Sequence, residues 1–96
     1  MLVLKKKLDN INNIAINYGI DNVNEIGIEE KLKELVMLNS ATIDVVNVSV
    51  NDNKVYITIK EYLEGHFLGL VDLELITVTS SYVGYLSGDE KIIERN

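Results

Sequence analysis

Cysteine, tryptophan and proline are missing from this chain of 96 residues, and histidine and phenylalanine occur once each. Each absence excludes something. A chain without cysteine builds neither a disulfide framework nor a thiolate metal site. A chain without proline has no residue that blocks a sheet edge by lacking an amide donor. The longest run free of charged residues, Leu75 to Gly88, spans fourteen positions and includes Thr77, Thr79, Ser80, Ser81 and Ser87. That is too short and too hydroxylated to cross a bilayer. The apolar Met1–Leu4 precedes Lys5-Lys6-Lys7, the reverse of a secretory signal. Leu2 excludes N-myristoylation, and Glu94-Arg95-Asn96 carries no lipid signal. The expectation is a cytoplasmic chain that does not engage membranes. The Asn47-Val48-Ser49 sequon is read as chance.

What is present is branched aliphatic. Leu, Ile and Val supply 35 residues and Asn another 11. A chain so rich in aliphatics is not intrinsically disordered, and its length suits one α+β domain over residues 1–96. Plentiful Ile, Asn, Lys and Tyr with little Ala or Arg suggests an AT-rich coding sequence, as in a low-GC bacterium or its phage. The formal charge is −6 and unevenly spread. Residues 1–20 are mildly basic through Lys5, Lys6 and Lys7, while the remainder is strongly acidic. An acidic body repels phosphate, so direct nucleic-acid binding is not expected. The lysine run reads as a solvated end, or as a basic arm that meets an acidic face of another subunit.

Hydrophobic period divides the chain. Leu4, Leu8, Ile11, Ala15 and Tyr18 step as one helical stripe, with Gly19 where a left-handed C-terminal cap is wanted. Lys5–Lys7 would oppose the dipole of a helix begun at Leu2, so the helix is expected to start near Lys6, with Leu2–Leu4 as a short strand. A second helix is marked by Ile28, Leu32, Leu35, Val36 and Asn39, with Glu29 and Glu30 in its first turn and an end near Asn39-Ser40. From Thr42 the period becomes two. An Asp52-Asn53 turn would pair Val50 with Val55, Val48 with Ile57 and Val46 with Ile59, placing six aliphatics on one face. A third strand is expected through Val71, Leu73 and Leu75. A bulge near Leu75-Ile76 would account for the change of phase that follows. A fourth strand is expected over Tyr82–Leu86. Ser87 and Glu90 have capping-box spacing for a short C-terminal helical turn carrying Ile92 and Ile93, the alternative being an edge strand. The predicted architecture is two N-terminal helices on one face of a four-stranded antiparallel meander.

Candidates for chemistry are few. His66 with Glu61 and Glu64 could hold a metal only weakly, because no second histidine completes a tight site. Ser80-Ser81 lacks a nucleophile elbow and reads as a turn or strand edge. Asn51-Asp52-Asn53 lacks the glycine and distal glutamate of a calcium loop. Gly65–Gly69 lacks the residues of a phosphate-binding loop. Glu29-Glu30 and Asp89-Glu90 fall at expected helix starts, where they suit the dipole. No catalytic residue, metal or cofactor is therefore assigned. Tyrosines on strands join an apolar ring to a polar tip, which suits interfaces. The interface candidates are Tyr56, Tyr82, Tyr85, Asp72, Glu74, Lys5, Lys6 and Lys7. The uncharged Ile76–Leu86 stretch, read as a strand edge, would need covering. These features lead to an expectation of a small non-enzymatic interaction or assembly protein. It would associate with its own copies, through the helical stripe or the uncharged strand, or with another protein. The alternative is an inhibitor or immunity-type protein whose acidic surface blocks a basic site on a target enzyme or nucleic-acid-binding protein.

Overall fold

The computed structural model describes residues 2–64 and 75–96. The order is α1 (Leu2–Asp21), α2 (Ile28–Asn39), β1 (Val45–Asn51), β2 (Lys54–Glu64), β3 (Leu75–Ser87) and β4 (Glu90–Arg95). The strands form one antiparallel sheet in the order β1-β2-β3-β4. Both helices lie against the sheet, with α1 across β2 and β3 and α2 beside β1. The expected α+β architecture is therefore present. No helix among the described residues is long and apolar enough to cross a membrane.

The first hairpin follows the sequence pattern in full. Val50 pairs with Val55, Val48 with Ile57 and Val46 with Ile59. Asp52 and Asn53 make the turn at φ +52° and +62°, the left-handed conformation that Asp and Asn tolerate. Val55, Ile57 and Ile59 are completely buried, and Val46, Val48 and Val50 pack on the same core.

Helix α1 departs from expectation at both ends. It starts at Leu2, so no short strand precedes it. The lysine that would oppose its dipole is tied down, since Lys5 Nζ donates to the Thr79 carbonyl and lies 3.3 Å from Asp9. Gly19 is not a left-handed cap, because α1 continues to Asp21 and Asn22 caps it, its side-chain amide donating to the Tyr18 carbonyl at 2.9 Å. Gly19 serves packing instead. A Cβ at Gly19 would sit 3.0 Å from Leu32 and 3.1 Å from Val55, so its missing side chain lets α1 close on both α2 and β2.

The buried stripe of α1 is also rotated from the apolar pattern. Leu8, Ile11 and Ala15 are buried as expected, but so are Asn12, Ile16, Gly19 and Ile20, while Tyr18 stays exposed. Asn12 reaches the core because its Nδ2 donates to the carbonyls of Ile57 (3.0 Å) and Ser80 (3.2 Å) and to Ser80 Oγ (3.2 Å). Helix α2 runs as expected and buries Ile28, Leu32 and Val36, although Asn39 is exposed.

The C-terminal half differs more. The stretch expected to carry a bulge and then a fresh strand is one strand, with unbroken pairing to β2 from Leu75 to Gly84. Ser80-Ser81 is therefore mid-strand and not a turn. Ser80 is tolerated inside because Asn12 bonds it. β4 covers the far side of β3 only over Tyr82–Ser87, so the expected uncharged edge is internal there, while Ile76–Ser80 has no strand on that side among the described residues. The expected C-terminal helical turn is strand β4, pairing Tyr82–Ser87 with Glu90–Arg95. A single helical turn closes few hydrogen bonds, whereas β4 pairs with one side of β3 from Tyr82 to Ser87. Expected strand positions Val71 and Leu73, and the metal candidate His66, lie outside the described residues.

Candidate functional site

The sheet and the helical layer each present an outer face. On the open sheet face the hydroxyls of Thr58 and Ser81 bond each other at 2.8 Å. On the same face, the Tyr85 hydroxyl donates to Glu94 at 3.3 Å, and Lys54 Nζ stands 5.0 Å from the Tyr85 ring centre. Strand alternation sets these bonded polar groups among Val45, Tyr56, Tyr62, Val83 and Ile92, so this face is mixed. At its end, Ile20, Val23 and Asn24 meet the Asp52–Lys54 turn, Tyr85 and Leu86 around an open recess of about 410 Å³.

The helical layer exposes aliphatic side chains among its charged ones. Ile14 is 54% exposed and Leu38 is 85% exposed, with Tyr18 and Met37 also at the surface. Tyr18 from α1 and Lys31, Glu34, Leu35 and Leu38 from α2 line a groove of about 240 Å³. Leu2, Val3, Ile26, Tyr62 and Leu86 are exposed elsewhere, and it is the meeting of Tyr18, Leu35 and Leu38 around this groove that suits an interaction surface. The groove keeps a polar rim. Lys31 Nζ bonds Glu25 at 2.8 Å and lies 5.9 Å from the Tyr18 ring centre. The Glu25 carboxylate first, and then the Tyr18 hydroxyl, hold the Lys31 ammonium above its ordinary pKa.

Glu61, weighed as a partner of His66, is engaged in the fold, as are Glu29 and Asp44. Glu29 Oε2 accepts the Val50 amide at 2.8 Å, joining α2 to the edge strand β1. Asp44 Oδ2 accepts the Tyr62 amide at 2.7 Å, where β2 outruns β1. Glu61 is buried on the helical side and accepts the Thr42 hydroxyl at 2.8 Å, which in turn lies 2.9 Å from Ser40 Oγ. Among the described residues no group of three or more His, Asp or Glu is arranged for a metal ion.

The interface candidates are dispersed. Tyr56 and Tyr85 alternate onto the open sheet face, whereas Tyr82 faces the helical core and packs against it. A hydrogen bond from Arg95 to Tyr82 holds the guanidinium pKa above its ordinary value. Lys5 is tied to β3, while Lys6 and Lys7 are exposed on α1. Asp72 and Glu74 lie outside the described residues. The stripe expected to pair helices is consumed by the core. The surface that sequence reasoning missed is the opposite side of α1 with the outer side of α2. The signals for it were Ile14 on α1 and Met37 and Leu38 on α2, apolar residues out of phase with the buried stripes. No protein-family model, curated protein sequence or solved structure matches this chain.

Proposed function

We propose that this chain is a non-enzymatic protein–protein interaction or assembly protein that associates with its own copies through the outer face of its helical layer. The observation that carries this reading is the exposure of Ile14, Tyr18, Met37 and Leu38 on the helical layer, where Tyr18, Leu38 and the half-buried Leu35 line one groove. Burying such side chains is worth about 25 cal/mol per Å² of apolar area. The structural use of Glu29, Asp44 and Glu61 supports the non-enzymatic part of the reading.

The deciding experiment is light scattering with size separation across a wide concentration range. A mass that rises toward twice the monomer, and falls back for Leu38→Lys, is expected. A strict monomer at every concentration would reject the proposal. A second reading has support in the exposed carboxylates around the α1–α2 junction, of which Asp21, Glu25 and Glu30 each face one lysine. There the chain would instead block a basic site on another protein, and its binding would weaken steeply with salt.

A further inference from the structure

We infer that the partner on the helical face is a second copy whose α1 runs antiparallel to the first, centred on Ile14, with Lys7 of each copy against Asp21 of the other. The inference rests on the self-association reading and assigns its register. Its basis is a second stripe on α1, on the side away from the core, at whose C-terminal end Asn17 and Asp21 also hold Lys91 of β4. Lys7, Asn10, Ile14, Asn17 and Asp21 are spaced 3, 4, 3 and 4 and are all exposed. Residues so spaced lie on one side of a helix, and Lys7 and Asp21 stand about 21 Å apart along it.

Ile14 is seven residues from each, so the stripe is self-complementary when reversed on itself. A parallel copy would set Lys7 against Lys7 and Asp21 against Asp21. An antiparallel copy crossing at Ile14 sets each lysine against an aspartate, places Ile14 against Ile14 and faces Asn10 with the Asn17–Tyr18 end. Side-chain amides in those positions can bond each other across the seam. Asp21 already receives Lys91 at 2.7 Å through Oδ2, but its side chain remains 57% exposed, leaving Oδ1 for a second cation. The same two-fold axis, lying between the layers, superposes α2 on its own copy, so the groove at Leu35 and Leu38 closes on itself. The chain as a whole is acidic, so association without matched charges would be opposed by net repulsion. The Lys7–Asp21 pairing removes that repulsion where the copies approach.

Sedimentation of the wild type, Lys7→Asp, Asp21→Lys and the double variant tests the register. Each single reversal creates two like-charge pairs per dimer and should raise the dissociation constant roughly tenfold, while the double variant returns to within about threefold of wild type. Circular dichroism checks that each variant remains folded, since Asp21 also bonds Lys91. Ile14→Cys supplies an independent reading, because the chain has no cysteine of its own. Two copies of Cys on a two-fold axis should form a disulfide-linked dimer under mild oxidation. If the wild type is monomeric throughout, the register and the self-association reading both fall. If it dimerises but ignores both reversals, and Ile14→Cys fails to cross-link, the register alone is overturned and association belongs to another surface.

Discussion

Gly84→Ala should destabilise this protein by about 2–3 kcal/mol, although the same substitution in an ordinary strand is favourable. A Cβ on Gly84 would stand 2.1 Å from Ile16 Cγ2 and 2.9 Å from Ile20 Cδ1. Carbon atoms in good contact are about 3.5–4.0 Å apart, so the first overlap exceeds 1 Å. The Ile20 atom ends a flexible chain and can swing aside. The Ile16 atom cannot, because it sits on the branch carbon of a residue whose χ1 is locked in a helix. Relief requires α1 to lift from β3 or Ile16 to leave its rotamer. Overpacking typically costs about 1–3 kcal/mol, and an overlap of more than about 1 Å against a locked branch lies at the top of that range or beyond. About 2–3 kcal/mol therefore remains after the gain of about 0.5–1 from replacing a strand glycine. For a domain of this size that loss corresponds to a fall in melting temperature of roughly 10–20 °C. Urea unfolding followed by far-ultraviolet circular dichroism measures it. Gly84→Ala with Ile16→Leu, which moves the branch away, should recover at least about 1 kcal/mol relative to additivity. Gly84→Ala as stable as wild type would refute the close approach of α1 to β3.

Other predictions test the core, the hairpin and the rim. Asn12→Ala should cost about 2–3 kcal/mol, because it opens a cavity and strands the buried Ser80 hydroxyl. Asn12→Leu with Ser80→Ala should unfold later than Asn12→Ala, and the reverse order would show that the cavity and the stranded hydroxyl are not what the single substitution costs. At the hairpin tip, Asn53→Gly should stabilise by about 0.5 kcal/mol and Asn53→Val destabilise by about 1–2, since the site is left-handed. Equal melting temperatures for the two would contradict the turn geometry. Lys31 has a folded pKa raised above its ordinary 10.5, so its ion pair stabilises the fold fully below that value and is lost as pH rises through the folded one. Thermal melts at pH 9 and at higher alkaline pH should show a small advantage of wild type over Lys31→Met at the lower pH only.

The sequence by itself determined the elements whose pattern and chemistry agree. The β1–β2 register was legible because a slip of one residue would scatter six aliphatics across both faces, and because Asp52-Asn53 suits a left-handed turn. Helix α2 was legible because its apolar positions and its acidic first turn point to the same boundaries. Tertiary structure decided the rest. Asn12 and Ser80 look polar in sequence yet are both completely buried, because each supplies the other's hydrogen bond across 68 residues. Gly19 reads as a stop signal, but its position against Leu32 and Val55 makes it a contact point. The tail became a strand because β3 offered it a row of backbone partners that a local capping pattern does not reveal. The candidate interaction surface was hidden for the same reason. Only once the sheet had taken Leu8, Ile11, Asn12, Ala15 and Ile16 was Ile14 left on the outside. Periodicity shows that a helix has an apolar side, but the partner it packs against decides where the centre of that side falls.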